Sequence, residues 1–213
     1  MLRLRPSSVP PHRRRAHVRA GASALMLVCA LGSAWVPARA DELALPSIFG
    51  DGMVLQRERA LPIWGRATAG TEVVIRFAGA EVRATADATG RWEASLPAQP
   101  ASAKPRLLEV EAGAERRVLA DVRVGDVWLL GGQSNIGWSL AQSSGGAEAA
   151  ASAAGLPLLF SFQQHPNAGA APAPAADVRE GRWLAITPRS APHQSAVGFH
   201  FARALRAHLG PDI

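Results

Sequence analysis

The stretch from residue 127 to residue 135 reads Val127-Trp128-Leu129-Leu130-Gly131-Gly132-Gln133-Ser134-Asn135. Its first four residues form an unbroken apolar run, which is typical of a strand buried on both faces. Two glycines follow, and glycine tolerates the backbone angles of a tight turn. The pattern therefore predicts a central strand, a sharp turn and the start of a helix that carries Ser134.

A serine in this position can have two roles. Open α/β sheets bind ligands at the carboxyl ends of their strands, and the N–H groups of a helix start can receive an anion. A hydrolase nucleophile needs such a position, but serine is also a favoured N-cap of ordinary helices. The G-x-S-x-G elbow of α/β-hydrolases is not matched, because Ile136 occupies its last position. Spacing alone leaves both interpretations open.

The residues around Ser134 resemble a known catalytic block. Gly132-Gln133-Ser134-Asn135, followed by Trp138, is similar to block I of the sialate O-acetylesterase family, a branch of the SGNH hydrolases. The resemblance implies that Ser134 is the nucleophile and that its own N–H helps to form the oxyanion hole. It also makes Gln133 and Asn135 candidate substrate-binding residues.

Three further stretches carry the resemblance. Residues 45–57 read LPSIFGDGMVLQR and residues 62–65 read PIWG, and both resemble the opening of mature sialate O-acetylesterases. Residues 195–205 are similar to a helix of the family. Gly198 would then be the block II residue whose N–H assists the oxyanion hole, although close helix packing explains a glycine equally well.

The first 40 residues are predicted to be a signal peptide. A basic region is followed by the apolar run 22–36, and Ala38-Arg39-Ala40 has small residues at the two positions that a signal peptidase reads. A membrane anchor is the alternative, but a span needs about 20 apolar residues. We therefore expect cleavage before Asp41, export to the periplasm or the exterior, and no stable membrane anchor afterwards.

Removal of the leader changes the charge of the protein. The whole chain has 23 Lys and Arg against 17 Asp and Glu, a net charge of +6. Seven arginines and no acidic residue lie in the leader, so 16 basic and 17 acidic residues remain, a net charge of −1. This balance argues against a nucleic-acid partner. Cys29 is the only cysteine and lies in the leader, so the mature chain can form no disulfide.

Residues 41–122 are predicted to form an antiparallel β-sandwich. Apolar and polar residues alternate, and glycines mark the turns between short strands; the alternating segments are 73–77, 82–86, 92–96 and 108–111. Trp64 and Trp92 are predicted to fill the core of this domain. The alternative is that one of them stacks on a sugar.

Residues 123–213 are predicted to be the amino-terminal portion of an SGNH-type doubly wound parallel sheet, in a three-layer α/β/α arrangement. An alanine-rich helix at 147–154 and a strand at 156–162 would form a right-handed crossover from the strand before Ser134. The last predicted element is a helix that Gly210 ends, with a core-facing stripe of Val197, Phe201, Leu205 and Leu209.

A serine esterase also needs a base for its nucleophile and a carboxylate that orients the base. In the family these residues come from a D-x-x-H motif, which this sequence lacks. His165, His193, His200 and His208 are predicted to be solvated, and His193 is the candidate to test because it precedes the Gly198 helix. Asp126 lies at the amino-terminal end of the predicted strand, opposite to the end that carries Ser134, so a surface or turn role is expected for it and not that of the catalytic carboxylate.

Two functions follow from these observations. The first is a serine esterase that removes O-acetyl groups from sialic acid or other glycans, inactive or impaired in this chain because the chain resembles the amino-terminal part of a longer enzyme. The alternative is a non-catalytic glycan-binding or defunct fragment of such an enzyme. No cofactor or metal is implied, because no cluster of His, Cys and Asp has ligand spacing.

Overall fold

A computed structural model describes residues 43–164 and 181–210 of the chain. These residues all belong to one compact unit. The predicted signal peptide, Cys29 and His165 lie outside the described residues. None of the helices in the described part is long and apolar enough to cross a membrane.

Seven strands occupy the first part of the described chain: β1 (Val54–Gln56), β2 (Leu61–Arg66), β3 (Glu72–Phe77), β4 (Ala80–Thr85), β5 (Arg91–Leu96), β6 (Ser102–Ala112) and β7 (Glu115–Gly125). Five of them form one sheet in the order β1-β7-β6-β3-β4, and β2 pairs with β5 in a second sheet. The predicted alternating segments lie in β3, β4, β5 and β6, except that Ala86 follows the end of β4. A tight turn at Gly79, which has a positive φ, joins β3 to β4.

One pairing departs from the predicted antiparallel arrangement. Strand β1 pairs with β7 in parallel, with Leu55 opposite Val124. Five other strands separate β1 from β7 along the chain, so no hairpin connection imposes an antiparallel direction on this pair. The prediction of an entirely antiparallel first domain is therefore wrong at this edge.

The two sheets share one apolar core. Its fully buried side chains come mostly from the alternating positions of the strands and include Leu61, Ile63, Ile75, Leu108 and Val122. Trp92 is only 4% exposed, and Trp64 packs against the same core, edge to face with Phe49 at a centroid distance of 4.6 Å. The core role predicted for Trp92 is confirmed, whereas Trp64 is only partly buried against that core.

The second part of the described chain contains short helices and one hairpin: α1 (Ser134–Gly137), α2 (Gly146–Ser152), β8 (Phe160–Gln164), β9 (Gly181–Ala185) and α3 (Ala196–Leu209). Together with the seven strands they make a mixed α/β fold. The alanine-rich helix is present as α2. The predicted parallel crossover is not present in the described chain, where β8 pairs with β9 in an antiparallel ladder.

Helix α3 differs from its prediction in the face that it buries. Ala196 and Phe199 are buried, whereas Val197 is 47% exposed, Phe201 37% and Leu209 36%. The predicted core-facing stripe is therefore wrong. The backbone hydrogen bonds that hold this part of the chain, from Ala196 to Trp138 and from Leu140 to Gln194, lie at the amino-terminal end of α3, and Ala196 and Phe199 are buried there.

The hairpin β8–β9 packs against the first core. Trp183 on β9 donates a hydrogen bond from Nε1 to the carbonyl of Ile48 at 2.8 Å and contacts the core of the two sheets. The guanidinium of Arg123 on β7 lies over the ring of Phe160 on β8, 4.9 Å from its centroid. These contacts pack the hairpin onto the first part of the described chain; the boundary between residues 122 and 123 stays a prediction.

Candidate functional site

The predicted central strand before Ser134 is absent from the described chain. Strand β7 ends at Gly125, and residues 126–133 belong to no strand. The apolar side chains of the run are exposed: Val127 by 42%, Trp128 by 58%, Leu129 by 98% and Leu130 by 41%. A strand buried on both faces needs a neighbour on each edge and a covering layer on each side, and no described strand pairs with this run. This prediction is wrong.

The predicted turn into a helix is present, and Ser134 is the first residue of α1. Gln133 occupies the N-cap position without a side-chain capping hydrogen bond, so Ser134 is not the cap that its sequence also allowed. Ser134 is exposed, and its hydroxyl makes no hydrogen bond with another described residue. The hydroxyl is therefore accessible to a substrate from solvent.

The two candidate substrate-binding residues flank Ser134 and are exposed as well. The carbonyl of Gln133 accepts a hydrogen bond from the N–H of Ile136 at 3.1 Å, and the carbonyl of Asn135 accepts one from Trp138 at 3.4 Å. Their backbones thus close the turn of α1. Their side chains make no hydrogen bond within the described chain and remain available to a ligand.

Backbone pairing joins the end of the Ser134 segment to the start of α3. The N–H of Ala196 donates to the carbonyl of Trp138 at 2.8 Å, and the N–H of Leu140 donates to the carbonyl of Gln194 at 2.8 Å. Helix α1 also contacts α3. The structure therefore brings together the two stretches that resemble blocks I and II, although about sixty residues separate them in the sequence.

Gly198 has a packing role in this arrangement. A Cβ built on it would lie 2.7 Å from Cδ1 of Leu130, so a larger residue here would displace the end of the Leu130 side chain. Its N–H donates to the hydroxyl of Ser195, the N-cap of α3, at 3.3 Å. Here the hydroxyl of Ser195 caps the helix by accepting from the N–H of Gly198, so this N–H is not free for an oxyanion.

The described histidines do not complete a catalytic group. His193 is exposed in a short turn, where its carbonyl accepts a hydrogen bond from Gln163 at 3.4 Å. His200 packs edge to face with Phe199, and His208 is exposed near the end of α3. Within residues 43–164 and 181–210, no hydrogen bond joins a histidine to Ser134.

Two residues that the sequence did not mark as functional hold the start of the Ser134 segment. The N–H of Val127 donates to Oε1 of Gln56 at 2.8 Å, and Nε of Arg57 donates to Oδ1 of Asp126 at 2.8 Å. The hydrogen bond to Asp126 raises the pKa of Arg57 above its usual value. The sequence predicted a surface or turn role for Asp126, whereas the structure gives it an ion pair with Arg57 and leaves only 19% of its side chain exposed. The signal in the sequence was the position of Gln56 and Arg57 at the end of the family-like stretch 45–57.

A shallow cleft of about 300 Å³ opens beside these contacts; it is lined by Gln56, Arg59, Asp126, Val127 and Trp128. Its lining combines an indole, a carboxylate and a guanidinium. No group of three or more His, Cys, Asp or Glu side chains in the described part of the chain could hold a metal ion.

One solved structure gives an informative comparison. A carbohydrate acetylesterase from Xanthomonas citri is 38% identical to this chain, with a TM-score of 0.67 over 80% of this chain and 39% of that one. The chain therefore spans about two fifths of the length of this relative. A protease structure aligns with 38% of this chain and 18% of the protease chain at 17% identity. Its TM-score of 0.27 is too low to indicate a shared fold. No family model and no curated protein matches the chain.

Proposed function

We propose that this chain carries the nucleophile of a carbohydrate O-acetylesterase and that Ser134 is this nucleophile. The observation that carries the proposal is the similarity to the Xanthomonas citri acetylesterase, at 38% identity over 80% of this chain. The exposed hydroxyl of Ser134 at the start of α1 supports it, because a nucleophile must be open to its substrate. The proposed substrates are O-acetylated glycans, with O-acetyl sialic acid among them.

The proposed reaction is acyl transfer through Ser134. Its Oγ attacks the acetyl carbonyl, the sugar hydroxyl leaves with a proton, and water then hydrolyses the acetyl-serine. The N–H of Ser134 lies in the first turn of α1, where backbone donors have no partner within the helix. Such a donor contributes about 10²–10³ in rate when it binds the developing oxyanion.

Turnover by the chain alone is proposed to be impaired. The base that accepts the proton of Ser134 is not in place in the described residues, and the N–H of Gly198 is occupied by Ser195. We propose that residues 123–213 belong to an SGNH-type three-layer domain and that the first part of the chain is a β-sandwich. We also propose that the protein is exported through cleavage of residues 1–40.

A second candidate is a non-catalytic fragment of such an enzyme. The observation in its favour is the exposed apolar run before Ser134, because a preorganised oxyanion site requires a rigid strand at this place. Under this alternative the chain does not hydrolyse acetylated glycans, whether or not it binds them.

The test uses the full chain, the variant Ser134→Ala and the control Ser95→Ala, which removes another exposed hydroxyl on β5. Acetate release is measured from an aryl acetate and from O-acetylated sialic acid, and the Ser134 peptide is examined by mass spectrometry for an acetyl adduct. We expect slow release and an adduct that only Ser134→Ala abolishes. Release that is unchanged by Ser134→Ala would refute the nucleophile, and the absence of both release and adduct would favour the non-catalytic alternative.

A further inference from the structure

Gln194 is the one polar residue among the buried residues of the described chain, with 5% of its surface exposed. It lies between the short turn Ala191–His193 and the start of α3. Ala191 and Ala196, on either side of it, belong to the apolar cluster of the second part of the chain, as does Leu140. A side-chain amide is costly in such surroundings unless its polar atoms have partners, so the partners of this amide define its role.

The side-chain amide of Gln194 joins two elements that are distant in the sequence. Oγ of Ser161 on β8 donates to Oε1 at 2.6 Å, and Nε2 donates to the carbonyl of Ser190, in the turn after β9, at 3.3 Å. These partners fix the orientation of the amide: the carbonyl of Ser190 can only accept, so the NH₂ group faces it and the oxygen faces Ser161. An apolar side chain of the same length would satisfy neither partner.

The backbone around Gln194 holds the segment that follows Ser134. The carbonyl of Gln194 accepts from the N–H of Leu140 at 2.8 Å, and the N–H of Ala196 donates to the carbonyl of Trp138 at 2.8 Å. Trp138 directly follows α1, the helix that begins at Ser134. These bonds therefore fix the end of α1 on the start of α3, and the side chain of Gln194 fixes the same point on β8 and on the turn after β9.

We propose that Gln194 is a positioning residue for Ser134: its buried amide immobilises the turn before α3, and this turn in turn holds the helix that carries the nucleophile. The inference rests on the proposed function, because it assigns a role relative to Ser134 as the nucleophile. No described hydrogen bond joins Gln194 to Ser134, so the effect acts through the backbone. A displacement of about 1 Å in a reacting group can lower a rate about a hundredfold, even when the cause is remote.

The first test compares two variants of the full chain. Gln194→Met keeps an unbranched side chain of similar length but removes the amide. Ile186→Ala is the control: Ile186 is 7% exposed in the same apolar cluster, and its loss weakens the packing without touching the amide of Gln194. Denaturant titration gives the folded fraction of each protein. Acetylation of Ser134 by an aryl acetate is then followed by mass spectrometry over a range of ester concentrations.

A positioning role separates the maximal rate from the binding of the ester. We expect Gln194→Met to lower the maximal rate of Ser134 acetylation about tenfold or more per folded molecule, with the half-saturating ester concentration unchanged. Ile186→Ala should leave both quantities at their wild-type values. A wild-type rate in Gln194→Met, or an equal loss in both variants, overturns the proposal.

Amide hydrogen exchange tests the same link without the reaction. Relative to Leu108 in the first core, the amides of Leu140 and Ala196 should exchange faster in Gln194→Met than in Ile186→Ala. Ser161→Ala removes only the hydroxyl on β8 and should shift the same amides in the same direction; it replaces Gln194→Met if that variant does not fold. Unchanged exchange at both amides overturns the proposal.

The two readouts separate this inference from the proposed function. Faster exchange at Leu140 and Ala196, in a protein whose Ser134 is never acetylated even in the wild type, would keep the structural link and refute Ser134 as the nucleophile. Acetylation of Ser134 that Gln194→Met leaves unchanged would keep the nucleophile and refute the positioning role.

Discussion

Arg57 donates a hydrogen bond from Nε to Oδ1 of Asp126 at 2.8 Å and so joins the end of β1 to the segment that leads to Ser134. Both side chains are largely shielded, with 26% and 19% of their area exposed. The N–H of Arg57 also donates to the carbonyl of Gly125, and Gln56 accepts from Val127. The segment is therefore anchored at its first residues, although the side chains that follow are exposed.

Replacement of the carboxylate in this pair is expected to loosen the anchor without unfolding the core. In Asp126→Ala, Nε of Arg57 loses its charge-assisted partner, so the amide of Val127 should exchange faster while that of Leu108 does not change. Amide hydrogen exchange measures both. Glu58→Ala is the control: Oε1 of Glu58 lies 3.6 Å from Nη1 of Arg57, but the Glu58 side chain is 72% exposed, and an exposed ion pair contributes little. Unchanged exchange at Val127 would show that the ion pair does not hold the segment.

The hydrogen bond from Trp183 to Ile48 is expected to stabilise the contact between β9 and the first core. Trp183→Phe keeps an aromatic ring but removes the donor and the pyrrole part of the indole; the lost hydrogen bond alone should lower the free energy of unfolding by about 0.5–1.5 kcal/mol. Denaturant titration measures this loss. Trp138→Phe is the matched variant: its Nε1 donates to Gln142 at 3.0 Å, but its side chain is 52% exposed. An equal loss in both would contradict a special role for Trp183.

The sequence predicted the strands of the first part because each of them carries its own signal. In β3, Val73, Ile75 and Phe77 face the core, and a tight turn at Gly79 closes the strand. The direction of β1 had no such signal. Its partner β7 follows more than fifty residues later, and three residues are too few to express a period.

The sequence could not show whether an apolar face is covered. Residues 127–130 have the pattern of a buried strand and α3 has the stripe of a core helix, yet both are exposed in the described chain. Periodicity marks the face that tends to be buried, but burial requires a second surface. The position of Ser134 in a turn followed from its glycines. The ion pair between Arg57 and Asp126 could not be predicted from the sequence, because the two residues lie 69 positions apart.

A side chain at Gly65 is expected to disturb the packing of Trp92. A Cβ at residue 65 would clash with the carbonyl of Ala44 and lie 2.8 Å from Cζ2 of Trp92. Gly65→Ala should therefore destabilise the fold by about 1–3 kcal/mol, as overpacked cores do. Gly155→Ala is the control, since its Cβ would meet no atom within 4 Å. Thermal denaturation compares the two, and equal melting temperatures would contradict the predicted clash.

Acid should remove a stabilising contribution of Asp87, the residue that organises the turn between β4 and β5. The pKa of Asp87 lies below its usual value of 3.8, because the Thr89 hydroxyl and the N–H groups of Arg91 and Thr89 donate to its carboxylate. A lowered folded-state pKa means that this stability is present above pH 3.8 and is lost as the pH falls through the folded value.

The variant Asp87→Asn isolates this effect, because an amide keeps an acceptor oxygen but cannot titrate. We expect the wild type to have the higher denaturant midpoint at pH 7 and the two midpoints to converge as the pH falls below 3.8. Other carboxylates with lowered pKa values, such as Glu81 and Glu111 beside Arg76, act equally in both proteins and cancel in the difference. Glu93→Gln is the control, because its exposed carboxylate makes no hydrogen bond with a described residue. A difference between wild type and Asp87→Asn that stays constant from pH 7 to low pH would mean that the turn draws no stability from the charge of Asp87.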